Sequence, residues 1–217
     1  MFIHLPKLMS LPQIESVPDR RSQILDAALV CFARRGFHQT SMHDISAEAG
    51  ISVGLIYRYF ENKEAVISAM ADRHKKEISQ MLDRARQAPT LLESLEILFT
   101  AHCCENEPRV ISAFVVDLYA EASRNLHLAD LVRDVLRTAM DGVTELIARA
   151  PETENATHGL SPTELAELIF AVARGMLMFD VLRPQEMTAA ERRALQLEVT
   201  RKLWRVLFKS EAEPAYA

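Results

Sequence analysis

The feature that most constrains this chain is its punctuation: stretches of apolar residues at helical spacing are interrupted repeatedly by short sequences that start a helix. Ser41 with Asp44, Thr90 with Glu93, Ser161 with Glu164 and Thr188 with Glu191 each set a hydroxyl three residues ahead of a carboxylate. In that spacing side chain and backbone satisfy each other's free donors at a helix N-terminus. Asn62 and Asn125 are further N-cap residues, Asn106 and Pro108 open another segment, and Pro162 suits the first helical position. Gly36 and Gly50 fall where helices must stop. This punctuation counts out nine helices, starting near Arg20 and ending near Lys209. With only 6 glycines and no run of Val, Ile and Thr alternation, no strand is expected, so the fold class is all-α.

The organisation follows from where the helical period is missing. Residues 1–19 carry Pro6, Pro12 and Pro18 and read as an N-terminal arm, and residues 211–217 read as a tail. A small helical unit over 20–67 leads into a larger one over 68–210, with the boundary inside the long fourth helix that starts at Asn62. No apolar run reaches the roughly 18 residues that a membrane span needs. The opening segment also lacks a charged region leading into an unbroken apolar stretch, so a cytoplasmic protein without a membrane partner is expected. Cys31, Cys103 and Cys104 have no CxxC spacing, which excludes a zinc site or disulfide framework from the reading. The net charge of −5 is unevenly spread: between Arg20 and Arg86 there are 11 Lys and Arg against 8 Asp and Glu. Basic potential thus sits in the N-terminal part.

There, a helix over about 20–35 with Ile24, Leu25, Ala28, Leu29 and Phe32 on one stripe is followed by a short helix from Met42 to Ala49. Gly50 breaks the chain and a third helix covers Val53 to Phe60, giving a helix-turn-helix. Ile56 and Phe60 turn inward with Ile45 and Ile51, which leaves Tyr57, Arg58 and Tyr59 to project elsewhere. The stretch RRSQILDAALVCFARRGFHQTSMHDISAEAGISVGLIYRYFENKEAV resembles the DNA-binding domain of the TetR family of bacterial repressors. The likeness rests on the R-x-x-I-L-x-A-A first helix, the G-F-x-x-T-S turn, Asp44-Ile45-Ser46, the A-G-I-S turn, Y-x-x-F and N-K-E. It implies that the third helix enters the major groove, with Val53, Gly54, Leu55, Tyr57 and Arg58 as groove contacts, Arg58 alone offering a strong donor fork. It implies phosphate contacts for Thr40, Ser41, Ser52, Tyr59 and Lys63. Ser41, Ser52 and Asn62 would equally serve as caps without DNA.

The C-terminal half is less informative. VVDLYAEASRNLHLADLVRDVLRTAMDGVTELI is similar to the ligand domain of the betaine-regulator subgroup through Ala120 to Arg124, a likeness that does not carry over a ligand. Phe114, Asp117, Leu118 and Glu121 share a helical stripe. Its two carboxylates either face a cationic or hydrogen-bonding ligand or pair with Arg109, Arg124 or Arg174. Phe99, His102, Cys103, Met140, Phe170, Arg174, Met176, Met178 and Phe179 are the other candidates for a pocket wall, although each is equally a normal core residue. Leu165, Leu168, Ile169, Val172 and Met176 on the eighth helix, with Leu195, Val199, Leu203, Trp204 and Val206 on the ninth, make apolar stripes. The family resemblance implies that these two helices pair across a two-fold axis into a homodimer.

These readings lead to a ligand-responsive transcriptional repressor: a dimer on double-stranded palindromic operator DNA, released when a small molecule enters the C-terminal domain. The alternative is a thiol or oxidant sensor of the same architecture built on Cys103 and Cys104. No nucleophile and base set, metal spacing or phosphate loop is present, so neither an enzyme nor a cofactor is expected.

Overall fold

The computed structural model describes residues 19–104, 108–151, 159–182 and 187–208. Most of the N-terminal arm and the C-terminal tail lie outside them. Among the described residues there are nine helices and no strand. They are α1 (Arg20–Gln39), α2 (Met42–Glu48), α3 (Val53–Ile56), α4 (Lys63–Ala85), α5 (Leu91–Cys104), α6 (Pro108–Ala122), α7 (Leu126–Arg149), α8 (Pro162–Val181) and α9 (Ala189–Leu207).

The cap sequences act as their spacing predicts. Asp44 N–H donates to Ser41 Oγ at 3.2 Å while Ser41 N–H donates back to the Asp44 carboxylate at 2.9 Å. Thr188 and Glu191 repeat this reciprocal pair, as do Ser161 and Glu164. Hydrogen bonds from these cap residues hold the carboxyls of Asp44, Glu164 and Glu191 below the ordinary carboxylate range. Asn62 and Asn125 accept from Ala65 and Leu128. Two boundaries differ from expectation. Helix α1 resumes for one turn beyond Gly36, whose φ of 78° and ψ of 163° make a break that an L side chain rarely adopts. Helix α3 is a single turn, and Tyr57 to Phe60 continue as tight turns: Arg58 and Tyr59 donate to the carbonyls of Leu55 and Ile56, three residues back.

Two clusters form the core. The first joins Ile24, Ala28, Phe32, Ile45, Ile56 and Val66 from the N-terminal helices to Leu128 of α7, with Phe114 and Leu118 of α6 packed against it. The second joins Leu82 of α4 to Leu95, Val143, Ile147, Leu165, Ile169 and Trp204. Helix α4 is common to both: Val66, Ile67 and Met70 serve the first cluster and Ile78, Leu82 and Ala85 the second. Its lower half lies against α7, where Gly142 faces Leu82 with no room for a Cβ. Gly142→Ala therefore overpacks this crossing and is expected to cost about 1–3 kcal/mol. A thermal unfolding midpoint unchanged from the parent protein would show that α4 and α7 can separate freely.

Candidate DNA-contacting turn and C-terminal cavities

The third helix presents an unusual surface. Ile56 and Phe60 are buried beneath it, and its outer side carries Tyr57 at 53% exposure and Tyr59 at 39%, with Arg58 exposed between them. Arg21 lies over the buried Phe60 ring, 4.8 Å from its centroid, and so braces the far side of the turn. Val53 and Gly54 are exposed and Leu55 is half-buried. No Cβ at Gly54 would touch anything, which leaves the helix start open to close approach. Ser52 and Ser41 are both exposed and both cap helices, Ser52 through Leu55 N–H at 3.2 Å. Their hydroxyls therefore lie at exposed helix N-termini, a setting suited to phosphate oxygens.

Thr40 and Lys63 have roles within the protein that the sequence reading missed. Thr40 is buried, and its hydroxyl donates to the carbonyls of Cys31 at 3.2 Å and Gly36 at 2.8 Å. Lys63 Nζ donates to the carbonyls of Phe37 at 2.7 Å, His38 at 3.1 Å and Thr40 at 3.3 Å, and stands 4.5 Å from the centre of the Phe37 ring. Both side chains collect carbonyls that the break at Gly36 frees from the end of α1. In this structure the side-chain polar atoms of Thr40 and Lys63, both expected at phosphates, are engaged internally.

The carboxylates on α6 also act on this break. Asp117 accepts the Phe37 N–H at 3.0 Å, and a Cβ on residue 36 would come within 3.1 Å of its carboxylate, so only glycine fits closely there. Glu121, buried, meets His38 Nε2 at 2.8 Å and Arg124 at 3.6 Å. Asp117 and Glu121 face α1 and line neither cavity described below, which corrects their placement in a ligand pocket. Of the partners considered, Arg124 is found for Glu121. Arg174 pairs with neither acid, and the side chain of Arg109 lies outside the described residues.

Two adjoining cavities fill the C-terminal part. One, of about 160 Å³, is lined by residues of α4 to α9, among them Ile78, Leu95, Phe99, Ile169, Phe170 and Trp204. The other, of about 250 Å³, lies between α4, α6 and α7, walled by Met70, Phe114, Leu118, Tyr119, Leu131 and Val135, with Arg73, Glu77 and Arg84 at its edge. His74, Met81, Ile111 and Arg174 line both. Phe99, Phe114, Leu118, Phe170 and Arg174 are among the residues that line these cavities. Met140 packs into the second core cluster, and Met178 is exposed on α8. The side chains of His102 and Cys103 lie outside the described residues. Tyr119 stacks beneath Arg174 at 5.9 Å; burial pushes its hydroxyl up, and the guanidinium partly offsets this. Cys31 is buried and its thiol is pushed up by that burial, the opposite of an activated thiol.

Residues 24–70 match the family described as bacterial regulatory proteins, tetR family. This part of the chain is a TetR-family domain. The chain is also 27% identical over 149 residues to the fatty acid metabolism regulator protein of Bacillus subtilis, covering 68% of this chain and 76% of that protein. It is 26% identical over 146 residues to the nicotine-responsive transcriptional repressor HdnoR of Paenarthrobacter nicotinovorans, covering 65% of this chain and 74% of that one. The structure of Salmonella enterica GusR is similar with a TM-score of 0.68 and 25% identity, covering 91% of this chain and 98% of that chain. The helix-turn-helix described above is accordingly the TetR-family DNA-binding unit, and the protein is a transcription regulator.

The apolar stripes of α8 and α9 divide by direction. Leu165, Ile169 and Trp204 are buried in the protein's own core, and Met176 lines a cavity, which corrects their assignment to a dimer interface. Val172, Leu195 and Leu203 are half-buried, while Val199 is exposed. The outward stripe keeps Leu168 and Val172 on α8 and Val199 and Val206 on α9 from those stripes, and adds Gly175 and Phe179.

Because Lys63 and Asp117 hold the end of α1 from opposite sides, Lys63→Met and Asp117→Ala are each expected to cost about 1–2 kcal/mol in the absence of DNA. Thermal unfolding of the free protein checks this: two unaltered midpoints would mean that the TetR-family domain does not depend on these bonds.

Proposed function

We propose that this regulator is a dimeric repressor that holds a palindromic operator with two copies of α3 and lets go when a small molecule occupies the C-terminal cavities. The observation that carries the reading is the uncovered Tyr57-Arg58-Tyr59 turn. Two large aromatic groups lie exposed around a guanidinium with no partner among the described residues. A tyrosine ridge beside a free donor fork suits a major groove flanked by phosphates. Tyr59, Ser41 and Ser52 are proposed to contact phosphates, and Val53, Gly54, Tyr57 and Arg58 to enter the groove. A relative bearing the words nicotine-responsive repressor in its name supports ligand response as the regulatory mode.

Release follows if the ligand favours a different placement of α1 and α4 from the one DNA favours. The cavity walls and the TetR-family domain are connected physically: α6 supplies Phe114 to a cavity and Asp117 to the α1 break, and α4 runs from Lys63 to Leu82. Domain limits of 20–67 and 68–210 divide α4 between reading DNA and binding ligand. The dimer is proposed to form through Leu168, Phe179, Val199 and Val206, with Gly175 letting two α8 helices approach closely. The protein is expected to act in the cytoplasm, where its operator is.

Binding to DNA taken from immediately upstream of the protein's own gene, at two salt concentrations, tests the DNA reading. Tight, salt-sensitive binding is expected, with Arg58→Ala and Tyr59→Ala each costing about 1–3 kcal/mol. Variants that bind as the parent does would sink the assignment of this turn. Phe179→Glu is expected to shift the protein from dimer to monomer in sedimentation and to weaken operator binding with it. An unchanged dimer would place the interface elsewhere.

A further inference from the structure

With Asp117 and Glu121 turned to α1, Glu77 is the carboxylate residue that lines either of these cavities among the described residues. Glu77, at the edge of the larger cavity, lies 3.3 Å from His74 and 3.8 Å from Arg73. Arg174 remains at the seam of both cavities. It is half-buried and rests on the Tyr119 ring, with no carboxylate partner among the described residues. A guanidinium with apolar walls on both sides and no counter-ion is costly unless something else supplies the charge. A second group waits in the smaller cavity. Trp204 lines it at 4% exposure, and its Nε1 is buried with no acceptor among the described residues. Buried indole N–H groups normally have a partner.

Resting on the ligand-responsive reading above, we propose that the effector is a hydrophobic monocarboxylate whose acid group pairs with Arg174 at the seam of the two cavities. Its hydrocarbon part lies among Leu95, Leu98, Phe99, Ile169 and Phe170 in the smaller cavity, whose wall includes Trp204. A carboxylate matches the fork of Arg174 with two parallel hydrogen bonds, whereas a cation would be repelled at the same place. The wall of the smaller cavity is mainly apolar, with His74, Ser112 and Gln196 its other polar members, which favours hydrocarbon over a sugar or peptide there.

Trp204 is the chain's sole tryptophan, so its emission reports occupancy of the smaller cavity directly. The full-length protein and Arg174→Gln would be titrated with decanoate, methyl decanoate and decylamine below their aggregation concentrations. Tryptophan emission and calorimetry read binding, and a melting curve checks that the variant is folded. The parent protein is expected to bind decanoate roughly 10-fold or more tighter than the ester, with the amine weakest. In Arg174→Gln the acid should fall to the level of the ester while the ester is unaffected. Equal binding of acid and ester, an amine that binds as well as the acid, a variant that retains its acid preference, or no binding of any of the three would overturn the proposal. Operator affinity measured in parallel separates the two readings: acid binding through Arg174 with unaltered operator affinity leaves this site standing and removes release, whereas operator binding without acid preference does the reverse.

Discussion

The end of α1 is held between two opposite charges, and the placement of the helix-turn-helix depends on that grip. Gly36 breaks the helix with a positive φ, which exposes carbonyls on one side and the Phe37 N–H on the other. Lys63, at the first position of α4, collects three of the carbonyls, and Asp117 from α6 takes the N–H. Thr40 closes the same break from within. Each group satisfies backbone atoms that the break leaves without a helical partner, so the three elements are joined by hydrogen bonds as well as by packing. The TetR-family domain is therefore tied to the helix that walls a cavity by a polar contact of defined geometry.

The same economy shapes the cavities. Because Asp117 and Glu121 point at α1, the stripe of α6 that faces inward presents Phe114, Leu118 and Tyr119 to the larger cavity. The smaller cavity combines a mainly apolar wall with the Arg174 guanidinium that it shares with the larger one and the indole N–H of Trp204. Helix α4 passes from the first core cluster to the second and lines both cavities along the way, so any change in their shape is felt along the helix that begins at Lys63.

Much of this was legible in the chain. The nine helices follow from caps and periodicity because a helix start is a local matter: Ser41 with Asp44 and Thr188 with Glu191 need nothing from the rest of the protein to form their reciprocal bonds. The helix-turn-helix was legible for the same reason, with Ile45, Ile56 and Phe60 buried and Tyr57 to Tyr59 projecting, as periodicity dictates. Side-chain direction relative to distant elements was not legible. Of the stripes chosen for dimer contact, Leu165, Ile169 and Trp204 face the core while Val199 lies exposed. A shift of one residue rotates a helical position by about 100°, and a helix with apolar residues on more than one face gives no signal to choose between them.

By itself the sequence determined the helices, their order, the TetR-family motif and the identity of the residues at its exposed turn, all properties of short segments whose hydrogen bonds close locally. Tertiary structure alone decided which polar side chains were free. Thr40, Lys63, Asp117 and Glu121 look available in sequence and are engaged by the break at Gly36, whereas Arg174, at both cavities, has no carboxylate partner and Trp204, at the smaller one, has no acceptor among the described residues. The physical reason is that satisfaction of a buried polar group depends on partners up to about 80 positions away, as Phe37 and Asp117 are, and no local pattern encodes that meeting.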